Sequence, residues 1–170
     1  MAENAAAVDG RSFDIERVIA DLERRLRALE DERDILRTLF AYGHAIDYGL
    51  EDEFLDCWTE DATLVWGKTP HRGLPQFRVR RYQGREAIKE TFRGHTHAPD
   101  RYHKHLLHQP QISIAGDRAT VRSGFGRIDE GADGPWLRSF GLYVDELVRC
   151  ADGRWRFVSR EAEVESTVGR

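Results

Sequence analysis

HKHLLHQPQISIAGDRATVRSGFGRIDEGADGPWLRSFGLYVDELVRCADGRWRFVSREAEVES, residues 103–166, is the stretch that decides the fold. Its β-branched and aromatic residues fall into four long runs, separated by AGD, DEGADGP and ADG. Gly-Asp and Asp-Gly between β-rich runs are hairpin signals, so this part of the chain is expected to form a meander of long antiparallel strands. Upstream of it, REAIKETFRGH (85–95) has the spacing of a helix. Residues 67–83 (GKTPHRGLPQFRVRRYQ) hold two prolines, two glycines and five lysines and arginines, and they suit a long loop with a short strand around Phe77 to Val79. EDEFLDCWTED (51–61) is expected to be a short helix leading into the strand ATLVW (62–66).

The chain before Gly49 is helical in pattern. Ile15, Ile19, Leu22, Leu26, Leu29, Leu36 and Phe40 follow alternating four- and three-residue steps, interrupted where Arg33 takes a stripe position. Charge fills the intervening positions, which suits either an amphipathic helix lying on its own domain or a coiled-coil seam between chains. Helices first and strands afterwards make this an α+β fold. A strongly curved, mainly antiparallel sheet should wrap the N-terminal helices as a cone-shaped α+β barrel, with a ligand pocket between them. Residues 1–13 are expected to be disordered or loosely attached, and residues 14–170 to form one domain.

Composition narrows the function. With 30 acidic and 26 basic side chains the formal net charge is −4, which favours neither nucleic acid nor an anionic membrane as partner. No run approaches the apolar length of a membrane helix, and the N-terminus has neither the basic start nor the apolar run of a secretory signal, so a cytoplasmic location is expected. Two cysteines, Cys57 and Cys150, are too few for a disulfide framework.

One residue breaks the hydrophobic pattern. At about 100° per residue, Ile35, Leu36, Leu39, Phe40, Tyr42, Gly43, Ile46 and Asp47 share one face of the first helix. A carboxylate on such a face costs several kcal/mol unless it is paired, so Asp47 either reaches solvent at the helix end or has a buried partner. Five of the seven histidines, His95, His97, His103, His105 and His108, lie within the next part of the chain. On an extended strand His103 and His105 share a face and His108 takes the other. Two imidazoles so spaced suit a metal, yet no further ligand completes a recognisable spacing, so no metal is expected. His95, His97 and His103 sit in polar, loop-like sequence and are expected at the surface. His105 opens the apolar segment HLLHQPQISI.

Four stretches, AYGHAIDYGLEDEF, FLDCWTEDATLVW, HLLHQPQISIAGDRATVRS and FGLYVDELVRCADGRWRF, resemble the SnoaL-like branch of the nuclear transport factor 2-like superfamily over about residues 30–165. The tyrosine five residues before an aspartate and the His-x-x-His-x-Pro string resemble the scytalone dehydratase and bile acid 7-alpha-dehydratase group. The resemblance implies Tyr42, Asp47 and His105 as the catalytic set, with His108 structural. Where the bile acid enzymes carry a further carboxylate, this chain has Arg127, with Asp129 two residues on. Nothing resembles the Asp-Arg-Asp arrangement of limonene epoxide hydrolase. Trp66, Phe125, Asp129 and Tyr143 are expected to line the substrate site.

The expected activity is that of a lyase (dehydratase) or isomerase needing no cofactor and acting on a small hydrophobic alicyclic molecule such as a polyketide, steroid or terpenoid. His105, oriented by Asp47, would abstract a proton alpha to a carbonyl, and Tyr42 would polarise that carbonyl or assist the leaving hydroxide. The alternatives are a ligand-binding module without chemistry and a partner subunit like those of ring-hydroxylating dioxygenases, since the fold alone fixes no function. A homodimer or homotrimer is expected in each case, because Trp136, Phe140, Leu142 and Val144 need cover.

Overall fold

The computed structural model describes residues 3–68 and 79–166, with side chains for 14–67 and 79–166. The elements in chain order are α1 (Glu3–Tyr48), α2 (Glu51–Asp56), β1 (Trp58–Lys68), β2 (Arg80–Gln83), α3 (Arg85–Arg93), β3 (His103–Ala115), β4 (Arg118–Asp129), β5 (Trp136–Arg149) and β6 (Trp155–Val164). The chain divides into two units, Met1–Asp34 and Ile35–Arg170. The range of α1 takes in most of the segment expected to be loosely attached, while residues 1 and 2 lie outside the described residues. Phe77, where a short strand was expected, also lies outside them, and the strand that follows is β2.

The first unit is helical. Its stripe residues Ile15, Ile19, Leu22, Leu26 and Leu29 are all exposed. Charged neighbours pair along the helix, Arg17 with Asp14, Arg24 with Asp21 and Arg33 with Asp34.

In the second unit the six strands form one curved sheet, open at its edges, in the order β2-β1-β6-β5-β4-β3. Only β1 and β6 run parallel, so the sheet is mainly antiparallel as expected. Its curvature has local causes. Register shifts between His108 and Gln111, between Arg127 and Ile128, and between Glu146 and Leu147 bend the strands where they occur. The β3 irregularity holds Gln109 at φ 49° and accommodates Pro110, which is tolerated because β3 is an edge strand.

The core fills one face of this sheet. Ile35, Leu39, Tyr42, Ala45 and Ile46 of α1 are buried together with Phe54, Trp58, Leu147 and Phe157. Two positions correct the expected helix face. Phe40, expected inward, is 55% exposed, and Ala45, which was not among the residues of that face, is fully buried. The working seam is the 35–39–42–46 series, one position earlier than the upstream stripe would give. Of the β5 residues expected to need cover, Phe140 is exposed and Trp136, Leu142 and Val144 are half-buried. Both cysteines are free. Burial pushes the Cys57 thiol up to about 12, which leaves it inert.

Candidate active site

The end of α1 is where the site begins. Gly49 adopts the left-handed conformation (φ +72°), and the Leu50 amide donates back to the Ala45 carbonyl at 3.0 Å. This glycine-ended cap stops the helix at Tyr48. Asp47 therefore stands in the last turn, where the helix dipole disfavours negative charge. It is nonetheless only 4% exposed, so the solvent-facing reading is excluded.

Its partners come from β3. Gly43, one turn back, lets α1 approach closely: a Cβ there would sit 3.5 Å from the His105 carbonyl oxygen, room for alanine and for little more. That approach places the Asp47 carboxylate against the strand. The His105 amide donates to both carboxylate oxygens at 3.2 Å, and His105 Nδ1 donates to Asp47 Oδ1 at 2.7 Å. With the proton fixed on Nδ1, the Nε2 lone pair of His105 is free of any partner among the described residues.

Three more histidines surround this pair, a correction to their expected surface position. His103 shares the inward face of β3 and is buried, with Nε2 3.4 Å from Asp47 Oδ1 and no hydrogen bond at either ring nitrogen. The ring of His95 lies 4.8 Å from that of His103 and 5.5 Å from that of His105. His97 sets its two ring nitrogens 2.7 Å from the Ile46 carbonyl and 3.0 Å from the Phe92 carbonyl, tying the ends of α1 and α3 together. Burial holds His95 down to about 3 and His103 down to about 4, with the Arg127 charge adding to both. His108, on the opposite face, is exposed, and its ring lies over Gly124.

Cross-strand register supplies the next layer. Arg127 of β4 pairs with His105, and Asp129 with His103. Arg127 Nε donates to Asp129 Oδ1 at 2.7 Å, and its Nη1 donates to His95 Nε2 at 2.9 Å. Arg138 Nη1 donates to Asp129 Oδ2 at 2.8 Å. Burial would raise the pKa of Asp129, but these two arginines bring it below the usual carboxylate range. Asp129 thus has both oxygens committed to arginines.

Tyr42 belongs to a different neighbourhood. Its ring meets Phe54, Trp58, Phe157 and Tyr143, and the Arg160 guanidinium lies 4.2 Å from its centre. Arg160 is fully buried and makes a two-pronged ion pair with Asp145, 2.8 Å at each prong. Burial raises both phenols, so Tyr42 and Tyr143 stay O–H donors. Tyr143 meets Tyr42 edge to face, with ring centres 6.4 Å apart. Phe125 stacks on Tyr143 at 4.5 Å, with Ala162 and Val164 beside them. Trp66 pairs in register with Ala162 but is 41% exposed.

Asp47, His103 and His105 offer donor atoms within 4.8 Å of one another, a spacing that a metal ion can use. The Lys104 ammonium, 3.9 Å from Asp47 Oδ2, already brings positive charge to the same carboxylate, which weakens the case for a divalent cation.

Residues 27–161 match the family model of the SnoaL-like domain. No protein with a curated description matches the chain. Among solved structures, an NTF2-like protein with a cystatin-like fold from Novosphingobium aromaticivorans is 25% identical, with a TM-score of 0.73 over 87% of this chain and 90% of that one. A provisionally named scytalone dehydratase from the same organism is 23% identical (TM-score 0.64, covering 84% and 90%). The beta subunit of a provisionally assigned aromatic-ring-hydroxylating dioxygenase, again from that organism, is 15% identical (TM-score 0.66, covering 84% and 93%). At these identities the last two speak for the fold alone.

Proposed function

For a chain that belongs to the SnoaL-like domain family, we propose the activity of a lyase or isomerase that needs no cofactor and works by general acid–base catalysis on a small hydrophobic alicyclic substrate. One observation carries the reading: the 2.7 Å contact from His105 Nδ1 to a nearly buried Asp47, which leaves Nε2 unpartnered. The carboxylate holds the imidazole in the basic tautomer and stabilises the imidazolium that forms when Nε2 accepts a proton.

In a dehydration, Nε2 takes the proton alpha to a carbonyl, and the C–H electron pair ends in the new double bond once the beta hydroxyl has left. The leaving hydroxide takes that proton from the His105 imidazolium, which restores the neutral base, and departs as water. In an isomerisation the proton on Nε2 returns to a different carbon. Tyr42 and Tyr143 are donors on the apolar side, where they assist the leaving group, and Phe125 packs the alicyclic body. Trp66 covers it from the β1 side. Asp129 acts at one remove, by holding Arg127.

The test is incubation with a panel of alicyclic hydroxy-ketones, followed for loss of water. Turnover that disappears in His105→Ala and Asp47→Asn, both still folded, is the expected outcome. Full activity in both variants would end this assignment, and tight ligand retention without product at any pH would favour a binding module instead.

A further inference from the structure

We infer that Arg127 forms an oxyanion subsite, so that the substrate is a carbonyl compound reacting through an enolate. This rests on the base assigned to His105. Arg127 stands directly across from His105 on the neighbouring strand and on the same sheet face. Its guanidinium is held from two sides, through Nε by Asp129 and through Nη1 by His95. Nη2 has no partner among the described residues, and the side chain is only 18% exposed. The His95 Nε2 that accepts from Arg127 stays unprotonated, because burial disfavours its charge and its Nδ1–H donates to the Thr96 carbonyl. A permanently charged group, oriented through two of its five N–H donors and open at the rest, binds negative charge that develops beside it. When Nε2 of His105 removes the alpha proton, the electron pair moves onto the carbonyl oxygen, and that oxygen is the charge Arg127 receives. Collapse of the enolate then expels the beta hydroxyl.

4-Nitrophenol tests this without turnover, since its phenolate mimics an enolate and is distinguished from the phenol by absorbance. The wild-type protein should bind the phenolate and retain its yellow band below the solution pKa. Arg127→Gln should bind about tenfold or more weakly and take up the neutral phenol, and Arg127→Lys should recover part of the band. His105→Ala should keep the band while losing turnover, which separates failure of this inference from failure of the base assignment. Wild-type protein that binds only the phenol, or a folded Arg127→Gln that keeps the phenolate, overturns it.

A second inference comes from the first unit alone. We propose that residues 15–32 pair with the same segment of a second copy as a parallel two-stranded coiled coil. Ile15, Ile19, Leu22, Leu26 and Leu29 are each half or more exposed, a continuous apolar stripe at heptad positions d, a, d, a and d. The flanking charges choose the partner and its direction. The e positions are Glu16, Glu23 and Glu30, so an antiparallel pair would set glutamate against glutamate in every register. A parallel pair instead sets Arg25 at g against Glu30 at e of the second copy. The seam is short and ends where Arg33 takes an a position, so the dimer is reversible.

Sedimentation of the full chain should show mass rising from monomer to dimer with concentration, and Leu22→Glu/Leu29→Glu should remain monomeric. In a Cys150→Ser background, Leu22→Cys and Leu29→Cys should each form an intermolecular disulfide, whereas an antiparallel pair allows at most one of the two. A monomer at every concentration, a dimer that survives the double glutamate variant, or a single cross-link overturns the proposal.

Discussion

Asp47 and Asp145 are both carboxylates removed from water on the inner side of one sheet, and they have opposite surroundings. Asp145 meets Arg160 through two hydrogen bonds of equal length, and the rings of Tyr42, Tyr143 and Phe157 each lie 4.2 Å from the guanidinium. Asp47 meets a histidine side chain, a backbone amide and a lysine at the limit of contact, and the histidine beside it has two ring nitrogens without hydrogen bonds. In the first, both carboxylate oxygens are paired with one permanently charged guanidinium, whose Nη1 is left without a hydrogen bond. The second retains buried nitrogens on His103 and Lys104 without hydrogen bonds, unused capacity of the kind the proposed proton transfer calls for. Burial is common to both, and the partner separates them: a two-pronged guanidinium for Asp145, an imidazole and an amide for Asp47.

The largest effects that test this contrast lie on the open cluster. His105→Ala or Asp47→Asn should lower turnover by about a hundred- to ten-thousand-fold, with thermal unfolding little changed. If either variant lost stability and activity together, Asp47 would be a structural carboxylate like Asp145. The closed cluster should respond the other way. Removing one partner, as in Arg160→Met or Asp145→Asn, should destabilise the fold by about 3–5 kcal/mol in denaturant titration, because the remaining charge is buried alone. Replacing both partners with apolar residues of similar volume should recover much of that loss.

Acid distinguishes the clusters next. His103 has a folded pKa of about 4 against the ordinary 6.5, so the unfolded chain binds the proton more readily. Stability should be complete above pH 6.5 and should fall as the pH drops towards 4, by about 3 kcal/mol for this residue. His103→Phe should make that decline shallower, and the part that remains belongs to His95, which burial holds lower still. The smallest effect belongs to the cap that positions Asp47. Gly49→Ala forces a side chain into the left-handed region, 3.3 Å from His97 Cβ, and should destabilise by about 1 kcal/mol.

How much of this was legible in sequence depended on how local the cause was. The helix end at Gly49, the antiparallel meander and the pairing of Asp47 with His105 followed from patterns a few residues long and from family resemblance. His103 was within reach as well, since it alternates with His105 on one strand face, but its polar neighbours masked that signal. His95 was not, because it reaches the cluster from the loop after α3, and no periodicity predicts where a loop returns. Arg160 was hidden by the irregularity between Glu146 and Leu147, which breaks the alternation that would have marked it as inward. Phe40 failed for a related reason: the upstream stripe was extended one step too far into a stretch that buries a different series.

The Asp47–His105 contact joins residues 58 apart in the chain, the first on a helix and the second on an edge strand. Helix α1 can gain its turns quickly and locally, but the contact exists only after β3 has found both β4 and the helix end, the slow kind of event in a folding chain. Reactivity should therefore be the last property to return on refolding, after helical signal and compactness. A newly made or partly opened chain carries its aspartate and histidine apart, so the proposed chemistry should begin only when the fold is finished.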